Sequence, residues 1–491
     1  MTVWPNNPVI YEINTWVWLS DLSQQYGRHL TLGNVPPEEW AALAKLGLDA
    51  VWFMGIWERS PEGVRISSDH VGLQHEFRAA LPDFIPADNL GSAYCVRRFE
   101  VDERLGGKAG LATARQELAV RGIRVILDFV PNHVARDHPW VLDHPEYFIQ
   151  GTRREMLASP REFFESAGRV IACGKDPNFP AWEDVAQVDA FNSGYRQAAM
   201  YTLAEIASQC DGVRCDMAML LLDRIFNPLW GKRTTPPLAQ GFWNQVIPAT
   251  HKFNTDFIFI AEAYWGTRLD LLQAGFSYCY DKELYDLLLK ADAATIEKQV
   301  QTDSSTPGVV RFIENHDELR ATSVFPEDKA RAAAVILSTL PGACLYHQGQ
   351  FEGRRLRLPV FLRRWMDEPT NLKMEQLYHM LVPLAASPMR KHGNWRLCMH
   401  HGWPDNQTHA SLLCWTWHHH DEILLTVVNY SPRPAQGLVT LPWAAPGHGD
   451  WLIEDLIKGD SNYRSSADLF MHGYFVDLPG WGFHLLRCTP D

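Results

Sequence analysis

The 491-residue sequence has no CxxC pair, no basic excess and no long apolar run. Its nine cysteines lie singly along the chain, which fits neither a disulfide framework nor a cysteine zinc site. A reducing cytoplasm is the simplest home for such thiols. Lys plus Arg number 45 against 58 for Asp plus Glu, a formal net charge of -13. Nucleic-acid binding calls for a basic excess or stripe, so no nucleic-acid partner is expected. No apolar stretch approaches the roughly 18 residues of a membrane span. The opening Met1–Pro5 shows neither the basic patch nor the apolar stretch of a signal peptide, so no membrane association is expected. Internal repeats and low-complexity tracts are also absent.

Aromatic residues, by contrast, are plentiful: 19 Trp, 15 Tyr and 23 Phe. Their faces can stack on the C–H faces of sugars, although large cores use the same residues. Short β-rich runs alternate with helical stretches up to about residue 385. Strands are predicted at 9–16, 49–57, 124–129, 212–216, 257–261, 277–281, 309–313 and 343–346. Helical patterns lie between them, including 37–46, 111–121, 195–209 and 326–340. Eight strands separated by helices fit an α/β fold, a closed (β/α)₈ TIM barrel, with a doubly wound open sheet as the competitor. No glycine-rich GxGxxG turn follows the first strand, which discounts a dinucleotide fold.

Two long insertions break the alternation, at 58–108 and 134–190, and loops of that length in a compact fold are usually functional or disordered. After about residue 390 the pattern changes to β-rich runs at 409–417, 423–430, 438–441, 451–453, 474–478 and 483–486. Pro and Gly separate them, the pattern of an antiparallel β-sandwich. The expected organisation is barrel over 1–133, an inserted small domain over 134–190, barrel again over 191–388 and a C-terminal sandwich over 389–491. The triplet His418–His420 reads as a hairpin turn, since adjacent His residues converge poorly on a metal.

Four predicted strands end abruptly in ionisable residues: Asp128-Phe-Val-Pro-Asn132-His133, Gly212-Val-Arg214-Cys-Asp216, Ala261-Glu262 and Asn315-His316-Asp317. In a parallel barrel all such ends open on one face. Glycoside hydrolysis needs one carboxylic acid to protonate the leaving oxygen and one carboxylate to attack or to activate water. Arg214 and Asp216 share a strand face, so the guanidinium is expected to hold Asp216 ionised as a nucleophile. Glu262, between an apolar strand and Ala263-Tyr264-Trp265, is expected in an apolar setting that keeps it protonated as general acid. Asp317 is left to steady the developing cation, with His133 and His316 as donors to sugar hydroxyls.

These four segments resemble the ordered signature regions of the alpha-amylase family of glycoside hydrolases. That resemblance covers nearly the whole chain and implies a barrel, a domain B after the third strand and a C-terminal sandwich. It implies Asp216 as nucleophile, Glu262 as acid/base and Asp317 as transition-state stabiliser. Arg214, His133, His316, Tyr94 and Asp128 fall at its substrate-binding positions, Tyr94 as a stacking tyrosine. Trp182 matches a segment closing domain B, and Tyr346–Gln350 a segment near the rim.

One departure bears on substrate and metal. Many alpha-amylases follow the nucleophile with a Lys-His pair that contacts the leaving side and helps hold calcium; here Met217–Leu220 is wholly apolar. Domain B also lacks the dense Asp cluster that calcium prefers. No metal or other cofactor is therefore expected. The expected activity is a retaining α-glycosidase acting on α-glucosides, short or small ones in preference to starch, with α-glucan as the wider partner class. A transglycosylase or a sucrose/trehalose-type isomerase with the same triad is the alternative.

Overall fold

A computed structural model describes residues 4–234, 236, 239–303, 308–441 and 449–491. Of the opening stretch considered for a leader, Met1–Val3 lies outside the described residues. Eight parallel strands close into a barrel: β1 (Val9–Asn14), β2 (Ala50–Met54), β3 (Arg124–Phe129), β4 (Gly212–Cys215), β5 (Ile258–Ala261), β6 (Tyr278–Tyr280), β7 (Val309–Arg311) and β8 (Ala343–His347). Each pairs with its sequence neighbour, and β1 closes the ring on β8 through Val9↔Cys344 to Glu12↔His347. The open-sheet competitor is excluded by that closure.

Side chains of alternate residues point to opposite faces of a strand. In the barrel both faces are buried, one by interior packing and one by helices, which is why the strands read as continuous apolar runs. Ile10, Trp52, Ile126, Ile260, Val310 and Leu345 form the interior cluster, while Val9, Val51, Val125, Val213 and Phe259 belong to the larger core shared with the helices. The same parity carries interior residues into polar ones two positions on: Ile10 to Glu12, Ile126 to Asp128, Gly212 to Arg214 and Ile260 to Glu262. Local chemistry sets the helix starts. Asn192 caps the helix Ser193–Gln209 and Asp281 caps Lys282–Lys290 through side-chain acceptors.

Several expected boundaries shift. Thr15 and Trp16 begin a helix, Thr15–Gln25, because Asn14 supplies an N-cap. Asp49 precedes β2, where its carboxylate accepts from the Val9 amide, and Trp57 belongs to a separate short strand, Trp57–Arg59. The insertion at 58–108 is not a bare connection: it carries the helices Pro61–Asp69 and Val71–Ala80 and the strand Val96–Val101. The insertion after β3 holds a four-stranded antiparallel sheet built from His133–Ala135, Phe163–Ser166, Arg169–Gly174 and Trp182–Gln187.

Toward the C-terminus a six-stranded and a three-stranded antiparallel sheet face each other across Leu412, Cys414, Leu425, Val439, Val476 and Leu486. His409 lies in a short 3-10 turn, and the strand begins at Leu412. Asn394–Leu397 and Ser461–Ser465 are strands that the apolar pattern did not show, since both are largely exposed edge strands. Of the His triplet, His418 and His419 end the strand Leu412–His419, paired with Ile423 and Glu422, and only His420, at φ 53°, lies with Asp421 in the hairpin turn. The sandwich docks on the barrel through Trp417, whose indole N–H donates to Thr339 O at 2.6 Å, and Tyr430, whose hydroxyl donates to Leu288 O at 2.6 Å. Among the described residues no helix is long and apolar enough to cross a membrane.

Candidate active site

The site lies where the strands end. Arg214 sits in register with Asp128 on β3 and Ile260 on β5. Beyond the strand ends the ladder continues: the Asp216 amide donates to Phe129 O at 2.9 Å and the Glu262 amide to Cys215 O at 3.1 Å. After β7 the Asn315 side chain accepts from the amides of Asp317 and Glu318, both at 2.9 Å, turning Asp317 toward the same centre. Backbone pairing therefore delivers Asp128, Arg214, Asp216 and Glu262 together, and an Asx turn adds Asp317.

Arg214 is the hub. It is fully buried, with Nη1 2.9 Å from Asp216 Oδ1 and 3.5 Å from Asp128 Oδ1. Its Nη2 lies 2.6 Å from Glu262 Oε2 and 3.9 Å from Asp317 Oδ2. Nε donates to the Tyr280 hydroxyl at 3.3 Å. A second polar chain runs from Tyr94, whose hydroxyl is 2.7 Å from His316 Nε2. The same His316 nitrogen is 3.0 Å from Asp317 Oδ2, and His316 Nδ1 pairs with the buried Glu12.

A cavity of about 550 Å³ opens over this network, within the size range of small-molecule sites. Tyr94, His133, Asp216, Glu262 and Asp317 line it, together with the rings of Trp182, Tyr264 and Trp265. Asp128, Arg214 and His316 do not. They are buried next to the lining, Arg214 and His316 paired with the carboxylates that do line it. Trp182 joins the wall, 5.1 Å from the His133 ring. His347 and Gln348 are instead turned to Arg320, which donates to His347 Nδ1 at 2.9 Å and to Gln348 O at 2.8 Å.

No protein-family model matches the chain. The alpha-amylase MalA of Haloarcula japonica is 26% identical over 364 residues, covering 72% of this chain. The chain spans about half the length of that relative, 45%. The structure superposes on the alpha-amylase of Geobacillus thermoleovorans solved with acarbose, with a TM-score of 0.69 at 17% identity over 100% of both chains. A maltogenic alpha-amylase, AmyB of Thermotoga neapolitana, gives 0.68 at 18% identity over 99% of each. The fold is that of the alpha-amylase family.

Within that alpha-amylase fold the setting of two carboxyls differs from the expected one. Burial pushes Asp216 up to about 8; Arg214 opposes the shift, and the nearby Glu262, Asp317 and Asp128 carboxylates add to it. Arg214 is the group that favours the ionised form of Asp216, but its one guanidinium is shared among four carboxyls. Glu262 is not in an apolar setting either: Oε2 accepts from the Met217 amide at 2.5 Å and Oε1 from the Tyr264 hydroxyl at 2.9 Å. Burial raises Asp128 to about 6. His316 stands well above its ordinary value: burial disfavours its charge, but Asp317 and Glu12 on either side overcome that. Asp317 is correspondingly lowered, the His316 imidazolium outweighing its burial. Burial takes His133 down to about 4, so at neutral pH it is an uncharged ring, 4.0 Å from Asp216 Oδ2. Five carboxyls, Glu12 included, thus face two cations, and the cluster retains a proton at neutral pH.

Sequence reasoning did not single out Glu12, Tyr264, Tyr280 or Lys282, the last of which also lines the cavity. Only the parity of β1 and the strand-end position of Lys282 carried any signal. Of the apolar run after Asp216, Met217 alone lines the cavity; Ala218, Met219, Leu220 and Leu221 are buried, and Ala218 O accepts from the Trp243 indole at 2.8 Å. Arg354 does not line the cavity; it stacks on Trp365 with its guanidinium carbon 3.6 Å from the ring centroid.

The residues present do not fit the calcium site of many alpha-amylases. Asn132 Oδ1 is already taken by Gln187 Nε2 at 3.1 Å, and the segment after Asp216 offers only buried apolar side chains. Among the described residues no three His, Cys, Asp or Glu side chains gather as metal ligands.

Proposed function

We propose that the protein is a retaining α-glycosidase acting on α-glucosides, with small or short substrates favoured over starch. The observation that carries this is the convergence of Asp216, Glu262 and Asp317 on one cavity around a single buried Arg214. Asp216 Oδ1 is held by Arg214, while Oδ2 is buried and has no hydrogen-bond partner among the described residues. That oxygen is the one offered to the anomeric carbon. Glu262 protonates the leaving oxygen and then, as a carboxylate, activates the water that releases the sugar. Proton traffic follows from the charge count: Asp216 must lose the proton the empty cluster retains, and Glu262 must hold one. Asp317, kept ionised by His316, faces the positive charge that develops on the sugar ring.

The preference for small substrates rests on the leaving-group side. Met217, Tyr264 and Trp265 line it; among them the indole N–H is a donor and the tyrosine hydroxyl already donates to Glu262, with the Lys282 ammonium elsewhere on the cavity wall. Distant sugar units then add little binding that strengthens in the transition state. The test is turnover of a panel of α-glucosides and soluble starch by the wild-type chain and by Asp216→Asn. Hydrolysis of one or more small α-glucosides, abolished in D216N with the melting temperature kept, is expected. Near-normal turnover in D216N, deamidation excluded, removes Asp216 from the nucleophile role.

A further inference from the structure

The two segments on the Tyr94 side of the cavity come from opposite parts of the chain, residues 84–94 and residues 356–364. They are sewn together. Asn89 and Leu362 form an antiparallel bridge, and the Leu90 amide donates to Phe361 O at 2.8 Å. Asp88, fully buried, accepts a forked pair from Arg364, Nε on Oδ1 and Nη2 on Oδ2, both at 2.8 Å. Arg363 adds a contact to Oδ1 at 3.3 Å, and its amide donates to Asp88 O at 3.0 Å. Arg59, also buried, donates through one nitrogen to Gly91 O at 2.7 Å and Val360 O at 2.8 Å. Behind the seam Phe77, Leu81 and Leu362 are wholly buried, and Phe361 packs on Phe77 with ring centroids 5.5 Å apart.

This seam has a direction relative to the chemistry. Ser92 and Tyr94 line the cavity from one segment, Val360 and Phe361 from the other. Tyr94 is tied to His316 and so to Asp317, the carboxylate that faces the sugar ring being transferred. Met217, Tyr264 and Trp265 lie with Glu262, where the leaving group departs. The seam therefore closes the end of the cavity beyond the transferred sugar. In an α-glucan that end points to the non-reducing terminus.

We infer that this wall leaves room for one transferred sugar unit, so that the protein removes single residues from non-reducing ends, and that the Asp88–Arg364 pair is the positioning latch that keeps the wall closed. A forked carboxylate–guanidinium pair fixes relative orientation as well as distance, and because Asp88 is buried, removing the guanidinium leaves that carboxylate without its forked partner. The inference rests on the glycosidase reading and adds the mode of attack to it. Asp88 lies outside the cavity lining, so its effect is exerted through Val360, Phe361 and Tyr94.

The experiment compares maltoheptaose with the same chain blocked by a 4,6-O-ethylidene group at its non-reducing terminus. The wild-type chain is expected to release glucose from the free chain and to leave the blocked one intact. Asp88→Asn and Arg364→Gln are expected to raise the blocked-to-free rate ratio by about tenfold or more. Turnover of a small aryl α-glucoside stays within about twofold in both variants. Arg364 is partly exposed, so R364Q serves if D88N does not fold. Wild-type cleavage of the blocked chain at a rate comparable to the free one overturns the closed end. An unchanged ratio in folded variants whose melting temperatures have dropped overturns the latch. If no α-glucoside turns over at all, the glycosidase reading itself falls, and this inference with it.

Discussion

The two sides of the cavity are built on different principles. On the Tyr94 side polar groups are tied to one another in a chain: Tyr94 to His316, His316 to Glu12 and Asp317, with two loop segments sewn together behind them. On the Glu262 side Met217, Tyr264 and Trp265 form the wall and the backbone is unusual. Met217 and Trp265 take left-handed φ of 43° and 56°, and Trp265 is 40% exposed. Non-glycine residues in that region are costly and cluster at functional sites. At Met217 the reason is visible, because that conformation aims its amide at Glu262. One side is a network of paired polar groups; the other is a wall of rings and a thioether.

The largest effect that could break this comparison is chemical. Glu262→Gln should lower turnover of natural α-glucosides by about 10²–10⁴-fold, the usual contribution of a positioned acid. The loss should be much smaller in the first step for an aryl glucoside whose phenol leaves without a proton. Equal losses on both substrates, in burst and steady-state assays, would move the acid role away from Glu262.

Next in size is pH. A protonated Asp216 cannot attack, so kcat/KM should rise with pH as the cluster loses its proton. Because burial raises Asp216, the acid limb should lie well above the ordinary value of 3.8, toward about 8. That limb belongs to the coupled carboxyls as a group. A limb at the ordinary carboxylate value would show that Arg214 does hold Asp216 ionised.

Much of this site was legible in the sequence. The three carboxylates, Arg214, His133 and Tyr94 all stand where strand ends or their motifs put them. Their electrostatics were not legible. The carboxyls that share Arg214 lie on strands far apart in sequence, and Glu12 reaches His316 across 304 positions through the closing of β1 on β8. Nor did the apolar pattern disclose which of Met217–Leu220 faces the cleft, since that follows from one left-handed residue. The seam between 84–94 and 356–364 joins two loops with no periodicity, and no local rule relates Asp88 to Arg364. Strand parity is local and readable; pairings made by chain closure are not.

Two smaller effects sharpen the contrast. Across maltose to maltoheptaose, kcat/KM should change by no more than a few-fold, because units beyond the first leaving sugar meet few donors. A steep rise with internal cleavage of starch would contradict the Glu262 side as described. Exhaustive chelation should leave the melting temperature unchanged, since a cation held by the native state alone would have stabilised it by mass action. A drop that calcium restores would show ligands other than Asn132 at work.

The central claim is double displacement through Asp216, and proton NMR of the first product formed from a small α-glucoside tests it most directly. Two inversions at the anomeric carbon return the starting configuration. The account predicts that the α-anomer appears first and mutarotates only afterwards; a β-anomer as the first-formed product would contradict it.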